Sequence, residues 1–235
     1  MRLCSWWLWA LAVGGASLVH AGDHVLLHAH FDAQTVGVAP GLGGANLGEP
    51  IYNASAIVGL APFTTPNLQV RDTGPNAQYT RFGFLNDEEV VTGTVQVRAQ
   101  VLFTGVGQPT IGLREQGGAA EQFLTLYTTD NSTSFAALTG GTLHFLGGTV
   151  APNAIVPLEI DASADQQRVS VRIDGVTLLD EAEIDLATAR GIGTLLFGVA
   201  NNTGTVADVM RVDNLRVIAC SSPVFADCLF VGGFD

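Results

Sequence analysis

The chain has 235 residues, with no Lys and ten Arg against 22 Asp and Glu, so its formal net charge is −12 with His neutral. A surface of this sign repels phosphate backbones, which excludes nucleic acid as an expected partner, whereas divalent cations remain compatible with it. The length suits a single all-β domain with a sizeable core.

The start of the chain has the three-part pattern of a secretory signal peptide. Arg2 supplies a positive charge, residues 6–13 are an unbroken apolar run, and Val19 and Ala21 place small residues at the −3 and −1 positions of a cleavage site. The run is shorter than the roughly 20 apolar residues of a membrane-spanning helix, and no later segment approaches that length. We therefore expect residues 1–21 to be a leader and the product to be secreted or periplasmic, without a membrane span.

Cleavage after the leader leaves Cys220 and Cys228 as the remaining cysteines. In an oxidising compartment we expect them to form a disulfide. So short a loop contributes about 2 to 3 kcal/mol in the chain-entropy model, which is enough to hold a tail but not to support a domain. The expected organisation is a β-sandwich over residues 22–219 followed by a disulfide-stapled tail over residues 220–235.

Alternation of apolar and polar residues is the main secondary-structure signal. It is clearest over residues 95–103, where Val, Ala and Phe share one strand face while Gln96, Arg98 and Gln100 share the other. Asp174-Gly175 between two alternating runs predicts a hairpin. Residues 40–66 are rich in Gly, Asn and Pro, which predicts a long loop apart from one strand at 51–58. In chain order, strands are predicted at 24–31, 51–58, 78–84, 95–103, 122–128, 143–146, 155–161, 169–173, 176–179, 193–200 and 209–218.

One segment has the start and stop signals of a helix. Asp180 is a candidate N-cap, Glu183 is its capping-box partner and Gly191 follows as a stop, which predicts one short helix near residues 181–190. The many short strands and Gly-rich turns elsewhere favour an all-β fold, a two-sheet antiparallel β-sandwich of the jelly-roll type.

Three segments in this order resemble the concanavalin A-like lectin/glucanase superfamily, including the laminin-G-like jelly rolls of secreted bacterial proteins. They are a first strand ending in Phe31-Asp32, the hairpin over residues 169–176 and a closing strand Val-Asp-Asn-Leu-Arg-Val over residues 212–217. The resemblance covers most of residues 24–218 and implies that the first and last strands are neighbours. Sandwiches of this class host lectins, hydrolases, lyases and spacers, so the resemblance selects no single function.

Two metal sites are predicted. If the first and last strands are adjacent, Asp32, Asp213 and Asn214 supply the hard oxygen ligands that suit a structural Ca²⁺. The alternative is that Asp213 and Asn214 form a bulge and Asp32 caps the loop after it. Cleavage after Ala21 would also expose Gly22-Asp23-His24, an amino terminus that can hold Cu²⁺ or Ni²⁺ in a square-planar set.

The catalytic patterns in the sequence are incomplete. Glucanases of the superfamily carry Glu-x-Asp-x-x-Glu, and both Glu159-Ile-Asp161 and Glu183-Ile-Asp185 lack its final carboxylate. His144 could act with a tyrosine as the base and acid of a lyase, or it could be an ordinary strand residue.

Carbohydrate binding relies on aromatic rings stacked on sugars, with polar groups that fix orientation. All three Trp leave with the leader, so the candidate rings are tyrosines. The alternative for the polar loops near them is turn chemistry, because Asn and Asp hydrogen-bond to their own backbone. The candidate ligand-binding residues are Tyr79, Tyr127, Asp130, Asn131, Asn201 and Asn202, with Tyr52 as a further ring.

The favoured hypothesis is a secreted, noncatalytic β-sandwich that acts as a binding or surface-interaction module, with a polysaccharide or cell-surface glycan as its expected partner. One alternative is a carbohydrate-active hydrolase or lyase whose site is not recognised, with Glu159 or Asp161 as the carboxylates to test. Another alternative is a structural or adhesive protein of the cell envelope.

Overall fold

The computed structural model describes residues 24–41, 47–52, 56–73, 76–115, 122–129, 132–185, 191–200 and 207–221. Within them every strand pairing is antiparallel, in two sheets. The eight-stranded sheet contains β1 (His24–Ala29), β3 (Ala56–Gly59), β4 (Asn67–Asp72), β6 (Thr94–Phe103), β11 (Ile155–Ser163), β12 (Arg168–Ile173), β13 (Val176–Glu183) and β15 (Ala207–Cys220). The seven-stranded sheet contains β2 (Glu49–Ile51), β5 (Gln78–Gly83), β7 (Pro109–Arg114), β8 (Gln122–Thr128), β9 (Ser134–Thr139), β10 (Thr142–Thr149) and β14 (Thr194–Val199).

The two sheets enclose one apolar core, which confirms the two-sheet antiparallel sandwich. The eight-stranded sheet has the order β13-β12-β11-β6-β15-β4-β3, with β1 also paired to β15, and the seven-stranded sheet has the order β10-β9-β8-β7-β14-β5-β2. Alternate residues of each strand point into the core, as the period of two requires. Edge-to-face aromatic pairs such as Phe103 with Phe135, whose ring centroids are 5.1 Å apart, join the two sheets.

The long strand β15 organises the eight-stranded sheet. Its first half pairs with β4, its second half pairs with β1, and β6 runs along its other edge from Met210 to Cys220. Ala29 of β1 lies opposite Leu215, so the first and last described strands are adjacent, as the resemblance implied. The change of partner coincides with a bulge at Asp213 and Asn214, where Asn214 has a φ of 50°.

Each strand predicted from alternation is present, but the sequence pattern missed β4, β7 and β9 and resolved only one strand where the structure has β2 and β3. In β7 five consecutive residues from Pro109 to Leu113 are buried, so polar and apolar residues do not alternate along the strand. In β9 the alternation is masked by Ala136 and Ala137, which lie on opposite faces yet are both fully buried.

The helix predicted near 181–190 is wrong for its first turn. Residues 181–183 belong to β13, while residues 186–190 lie outside the described part of the chain. Glu181 has a φ of 45° and its amide donates a hydrogen bond to the Ser170 hydroxyl at 2.9 Å, which marks a bulge against β12. Pairing with β12 satisfies the backbone groups of this segment and buries Leu179, and these tertiary gains override the local capping signal.

The aromatic core offers a direct test of the packing. Phe197 is fully buried and its ring centroid lies 6.0 Å from that of Phe82, whereas Phe145 is 80% exposed. We expect Phe197→Ala to lower the free energy of unfolding by about 3 to 5 kcal/mol. Phe145→Ala should change it by less than about 0.5 kcal/mol. Urea denaturation of both variants measures the difference, and equal losses would contradict the arrangement.

Candidate functional site

Aromatic side chains line the outer face of the seven-stranded sheet, the face turned away from the core. Strand register places them in one row that crosses six strands. Tyr79 and Tyr127 are three strands apart in this row, which corresponds to about 14 Å at the usual strand spacing, and both are partly exposed. We call this the aromatic row; its members are Tyr79, Gly198, Thr110, Tyr127, Ala136 and Phe145.

Two arginines accompany the row on the same face. Arg81 lies two residues after Tyr79 in β5, and Arg114 is the last residue of β7. The guanidinium carbon of Arg114 lies 5.6 Å from the centre of the Tyr79 ring, within the range of a cation–π contact. Burial lowers the pKa of Arg114, the charge of Arg81 lowers it further, and Tyr79 acts in the opposite direction. We call the surface of Tyr79, Arg81, Arg114 and Tyr127 the Tyr–Arg face.

Glycines let these side chains lie flat against the sheet. A Cβ added at Gly198 would collide with the Tyr79 ring and with the Gln78 carbonyl oxygen, and one at Gly112 would lie 3.3 Å from Leu196 Cδ1. A strand glycine commonly marks such a close approach. Tyr79 therefore lies across Gly198, and Leu196 on the same strand is only 1% exposed. We call the surface formed by Tyr79, Gly198 and Leu196 the shelf.

The polar loops predicted to bind ligand follow β8 and β14 in the sequence and lie outside the described residues. They contain Asp130, Asn131, Asn201 and Asn202. The preceding strands β8 and β14 end one residue beyond Tyr127 and Gly198, at the end of the sheet where the aromatic row lies. Tyr52 belongs elsewhere, because its ring contacts Phe82 edge to face and burial raises the pKa of its hydroxyl well above the usual value.

The structure does not bring His144 together with either tyrosine. His144 lies opposite Ala137, a core residue, so it projects from the inner side of the sheet while Tyr127 and Tyr79 project from the outer side. It shares a hydrogen bond of 3.0 Å with the Thr139 hydroxyl. Both residues line a groove of about 550 Å³ between the β9–β10 hairpin and the edge formed by β12 and β13.

Glu159 and Asp161 lie on the outer face of the opposite sheet, within a network of ion pairs. Arg98 donates to Asp161 at 2.8 Å, and Arg172 donates to Glu159 at 2.9 Å. Burial raises the pKa of Asp161, while the charge and hydrogen bond of Arg98 oppose that rise. Because an arginine engages each carboxylate, the arrangement is that of a structural ion network and not of a nucleophile and acid facing an open cleft.

Asp32 follows β1, and Asp213 lies at the bulge of the neighbouring strand β15. Asp213 is buried and accepts hydrogen bonds from the Thr65 hydroxyl at 2.8 Å and from the Asn214 amide at 2.9 Å, while Asp32 lies 3.5 Å from His30 Nδ1. The described residues contain no cluster of three His, Cys, Asp or Glu side chains suited to a metal. The bulge at Asp213 agrees with the structural alternative, and calcium stays a prediction.

Two further predictions fall partly outside the described residues. Gly22 and Asp23 are not described, and His24 Nε2 lies 2.8 Å from a carboxylate oxygen of Glu88, so copper binding by the amino terminus stays a prediction. Cys220 is buried at the end of β15, while Cys228 is not described, so their disulfide also stays a prediction.

No family model and no curated protein matches this chain. Several solved structures share its fold. A variant of the alginate lyase Aly36B in complex with an alginate trisaccharide aligns with a TM-score of 0.57 at 12% identity, over 85% of this chain and 98% of that one. Trypanosoma rangeli sialidase aligns with a TM-score of 0.51 at 16% identity, over 83% of this chain and 35% of that one. A structure of botulinum neurotoxin type C, whose cell entry is described as dependent on two ganglioside molecules, aligns with a TM-score of 0.53 at 8% identity, over 86% of this chain and 49% of that one.

At these identities the likeness shows the fold alone, a β-sandwich of jelly-roll type. The chain spans only 16% of another sialidase with which it aligns and about a third of the trypanosomal enzyme, so it corresponds to one part of those proteins. In the described residues we find no helix with the length and apolar character needed to cross a membrane.

The ion network yields a test that separates a structural role from a catalytic one. Asp161→Ala would leave the buried Arg98 without its nearest carboxylate, and we expect the free energy of unfolding to fall by about 3 to 5 kcal/mol. Glu159→Ala removes a more exposed partner and should cost less than about 1 kcal/mol. Urea denaturation of both variants measures these losses. Unchanged stability in Asp161→Ala would contradict the structural role.

The bulge in β15 predicts an unusual pH dependence. Burial raises the pKa of Asp213, hydrogen bonds from Thr65 and Asn214 oppose this, and the charge of Asp32 adds to it. A carboxyl group whose pKa is higher in the folded chain makes the free energy of unfolding fall as the pH rises from the ordinary Asp pKa to the folded value.

In the Asp213→Asn variant this side chain cannot ionise, so the fall in the free energy of unfolding should disappear. Its amide oxygen can still accept the hydrogen bond from the Asn214 backbone amide. We therefore expect the urea midpoint of the variant, relative to the unaltered protein, to increase as the pH rises from about 4 to about 7. A difference between the two midpoints that stays constant with pH would contradict this account.

Proposed function

We propose that the protein is an exported, noncatalytic β-sandwich of the concanavalin A-like type that binds an extended carbohydrate chain along its Tyr–Arg face. The observation that carries the proposal is the alignment of Tyr79 and Tyr127 in one register row, both partly exposed on the same face of a rigid sheet. Tyrosine rings present a large apolar surface with a polar end, which suits the faces and hydroxyls of sugars.

The shape of the face favours a chain over a single sugar. Small ligands bind in concave pockets that enclose most of their surface, whereas the aromatic row lies across an open sheet. Phe145, which is 80% exposed on the edge strand β10, continues the row two strands beyond Tyr127. Five strand intervals separate Tyr79 from Phe145, which corresponds to about 24 Å and is long enough for several sugar residues.

The proteins that share the fold support a carbohydrate context. They include an alginate lyase solved with an alginate trisaccharide and sialidases. They also include botulinum neurotoxin type C, whose cell entry is described as dependent on interaction with gangliosides. The leader predicted over residues 1–21 would place this chain where polysaccharides and cell-surface glycans are found.

A binding role is favoured over the hydrolase or lyase alternative by the positions of the candidate catalytic groups. Glu159 and Asp161 are held by arginines on the opposite sheet, and His144 projects from the inner side of its strand. None of these three residues lies on the Tyr–Arg face. An adhesive envelope protein remains compatible with the same face if its adhesion partner is a glycan.

Substitution of the tyrosines tests the proposal. The mature protein would be titrated calorimetrically with oligosaccharides drawn from a panel of neutral and acidic plant, algal and bacterial polysaccharides. We expect Tyr79→Ala and Tyr127→Ala each to weaken binding of the best ligand about tenfold, the equivalent of about 1.4 kcal/mol.

The third tyrosine of the mature chain provides a matched control. Tyr52→Phe removes a hydroxyl within the core and keeps the ring in contact with Phe82, so it should leave glycan affinity unchanged. Equal effects of all three substitutions, or release of shortened products from the oligosaccharides, would contradict a noncatalytic site at the Tyr–Arg face.

A further inference from the structure

Strand β10 forms an edge of the seven-stranded sheet that lacks the usual protection against pairing with another chain. Its sequence, TLHFLGGT, contains no Asp, Glu, Arg or Pro, and in the described part of the chain it pairs with β9 on one side only. An edge strand presents a row of backbone donors and acceptors, so natural proteins cover such edges or protect them with charge, proline or very short length.

The other three strands at the ends of the two sheets each have one of these protections. β2 has only three residues and contains Pro50, and β13 carries three acidic residues within its last four. β3 is covered by an earlier loop, because Val58 donates to the Val38 carbonyl oxygen at 2.8 Å and accepts from the Gly37 amide at 2.7 Å. Among these end strands of the described sheets, β10 is therefore the one open to pairing.

The hairpin geometry shows which backbone groups of β10 face its open side. The chain turns through Gly140-Gly141, both at positive φ, as a type I′ turn requires. Thr139 and Thr142 flank this turn and exchange backbone hydrogen bonds, and every second residue of an antiparallel ladder does the same. The N–H and C=O groups of Leu143 and Phe145 consequently point away from β9.

The side chains beside these backbone groups are apolar and exposed. Phe145 is 80% exposed and Leu143 is 45% exposed, and Leu138, which lies opposite Leu143 in β9, is 40% exposed. All three project from the outer face of the sheet. A contiguous exposed apolar patch marks a surface suited to association, and here it lies next to unsatisfied strand-pairing groups.

We propose that two copies of the chain associate through β10, edge to edge and antiparallel, so that their seven-stranded sheets form one sheet of fourteen strands. A two-fold axis pairs a strand antiparallel with its own copy, so each chain supplies the same patch to the other. A second copy fits because β10 has no charged residue: in a protein of net charge −12, two copies repel least where neither presents a carboxylate. This interaction surface is independent of the proposed carbohydrate binding.

The acidic edge strand β13 limits the strength of this contact. It lies on the same side of the sandwich as β10, since a Cβ added at Gly148 of β10 would collide with Leu178 of β13. The carboxylates of β13 in one copy would therefore approach those in the other, and salt should screen their repulsion. A contact confined to one edge is weak, so we expect dimers at about 100 µM and monomers at about 1 µM.

The association would place both Tyr–Arg faces on one side of the joined sheet. Two-fold symmetry perpendicular to the sheet keeps the outer faces together, and five strand intervals then separate the two copies of Tyr127, which corresponds to about 24 Å. A long glycan can engage both faces, and the second contact benefits from the high effective concentration created by the first.

Sedimentation velocity of the mature protein from about 1 to about 200 µM tests the proposal. We expect a monomer–dimer equilibrium that becomes stronger when NaCl is raised from about 0.05 to about 0.5 M. Phe145→Glu places carboxylates at the contact, and Leu143→Pro removes an outward N–H donor that the β9 ladder does not use. Each should weaken association at least about tenfold, with an unchanged circular dichroism spectrum as evidence that the fold is retained.

Ile51→Glu is the matched control. Ile51 is a similarly exposed apolar residue, at 56%, on the opposite edge strand of the same sheet, and this substitution makes the same change in net charge as Phe145→Glu. It should leave the dimer unchanged. Hydrogen exchange adds a direct readout, because the amides of Leu143 and Phe145 should exchange more slowly at about 200 µM than at about 1 µM.

Two results would overturn the proposal. The first is a protein that stays monomeric up to about 200 µM at both salt concentrations. The second is association that Phe145→Glu and Leu143→Pro leave intact, or that Ile51→Glu weakens to the same extent. Neither result bears on glycan binding by the single chain, which the tyrosine substitutions test separately.

Discussion

The long pairing of β6 with β15, interrupted once by the bulge at Asp213 and Asn214, is the constraint on which the rest of the structure depends. β15 offers one edge to β6 and divides the other between β4 and β1, so that segments from the beginning, the middle and the end of the chain meet on one strand. The bulge at Asp213 and Asn214 lies where the partner changes. Because the bulge resets the alternation, residues on both sides of it still send their apolar side chains into the core.

Alternation then divides the polar residues between two outer faces with different chemistry. On the eight-stranded sheet, Arg98, Glu159, Asp161 and Arg172 neutralise one another in a network that is largely buried. On the seven-stranded sheet, Arg81 and Arg114 lie beside tyrosines, and the carboxylate of Glu49 lies at the edge of the sheet. The first face is a network of ion pairs, whereas the second presents the partly exposed rings of Tyr79 and Tyr127.

Much of the fold follows from local patterns. Strands with clear alternation and the Asp174-Gly175 hairpin are present as predicted. The adjacency of the first and last strands, which the resemblance implied, is also present. The short strands in residues 40–66 and the buried strands β7 and β9 lack a period of two, so local reasoning could not find all of them. The capping signal at Asp180 failed because pairing with β12 offered the same backbone groups partners across the sheet.

The candidate site was only half predictable for a related reason. Tyr79 and Tyr127 were recognised as rings suited to sugars, but their alignment depends on the register of four strands, which is set by contacts distant in sequence. Arg81 could have been found, because Tyr79 and Arg81 are two residues apart and must share a strand face. Arg114 and Phe145 carried no such signal, since the first ends a strand that the pattern missed and the second lies in a strand whose outer face is apolar.

The shelf is also organised before any ligand arrives. Gly198 leaves room for the Tyr79 ring, Arg114 lies over that ring, and Leu196 of β14 is only 1% exposed. These residues lie on paired strands of a seven-stranded sheet and not on a loop, so little conformational freedom is left to lose when a ligand binds. A flat, rigid surface of this kind suits a repetitive, extended ligand, because successive units can meet the same chemistry without any rearrangement of the protein.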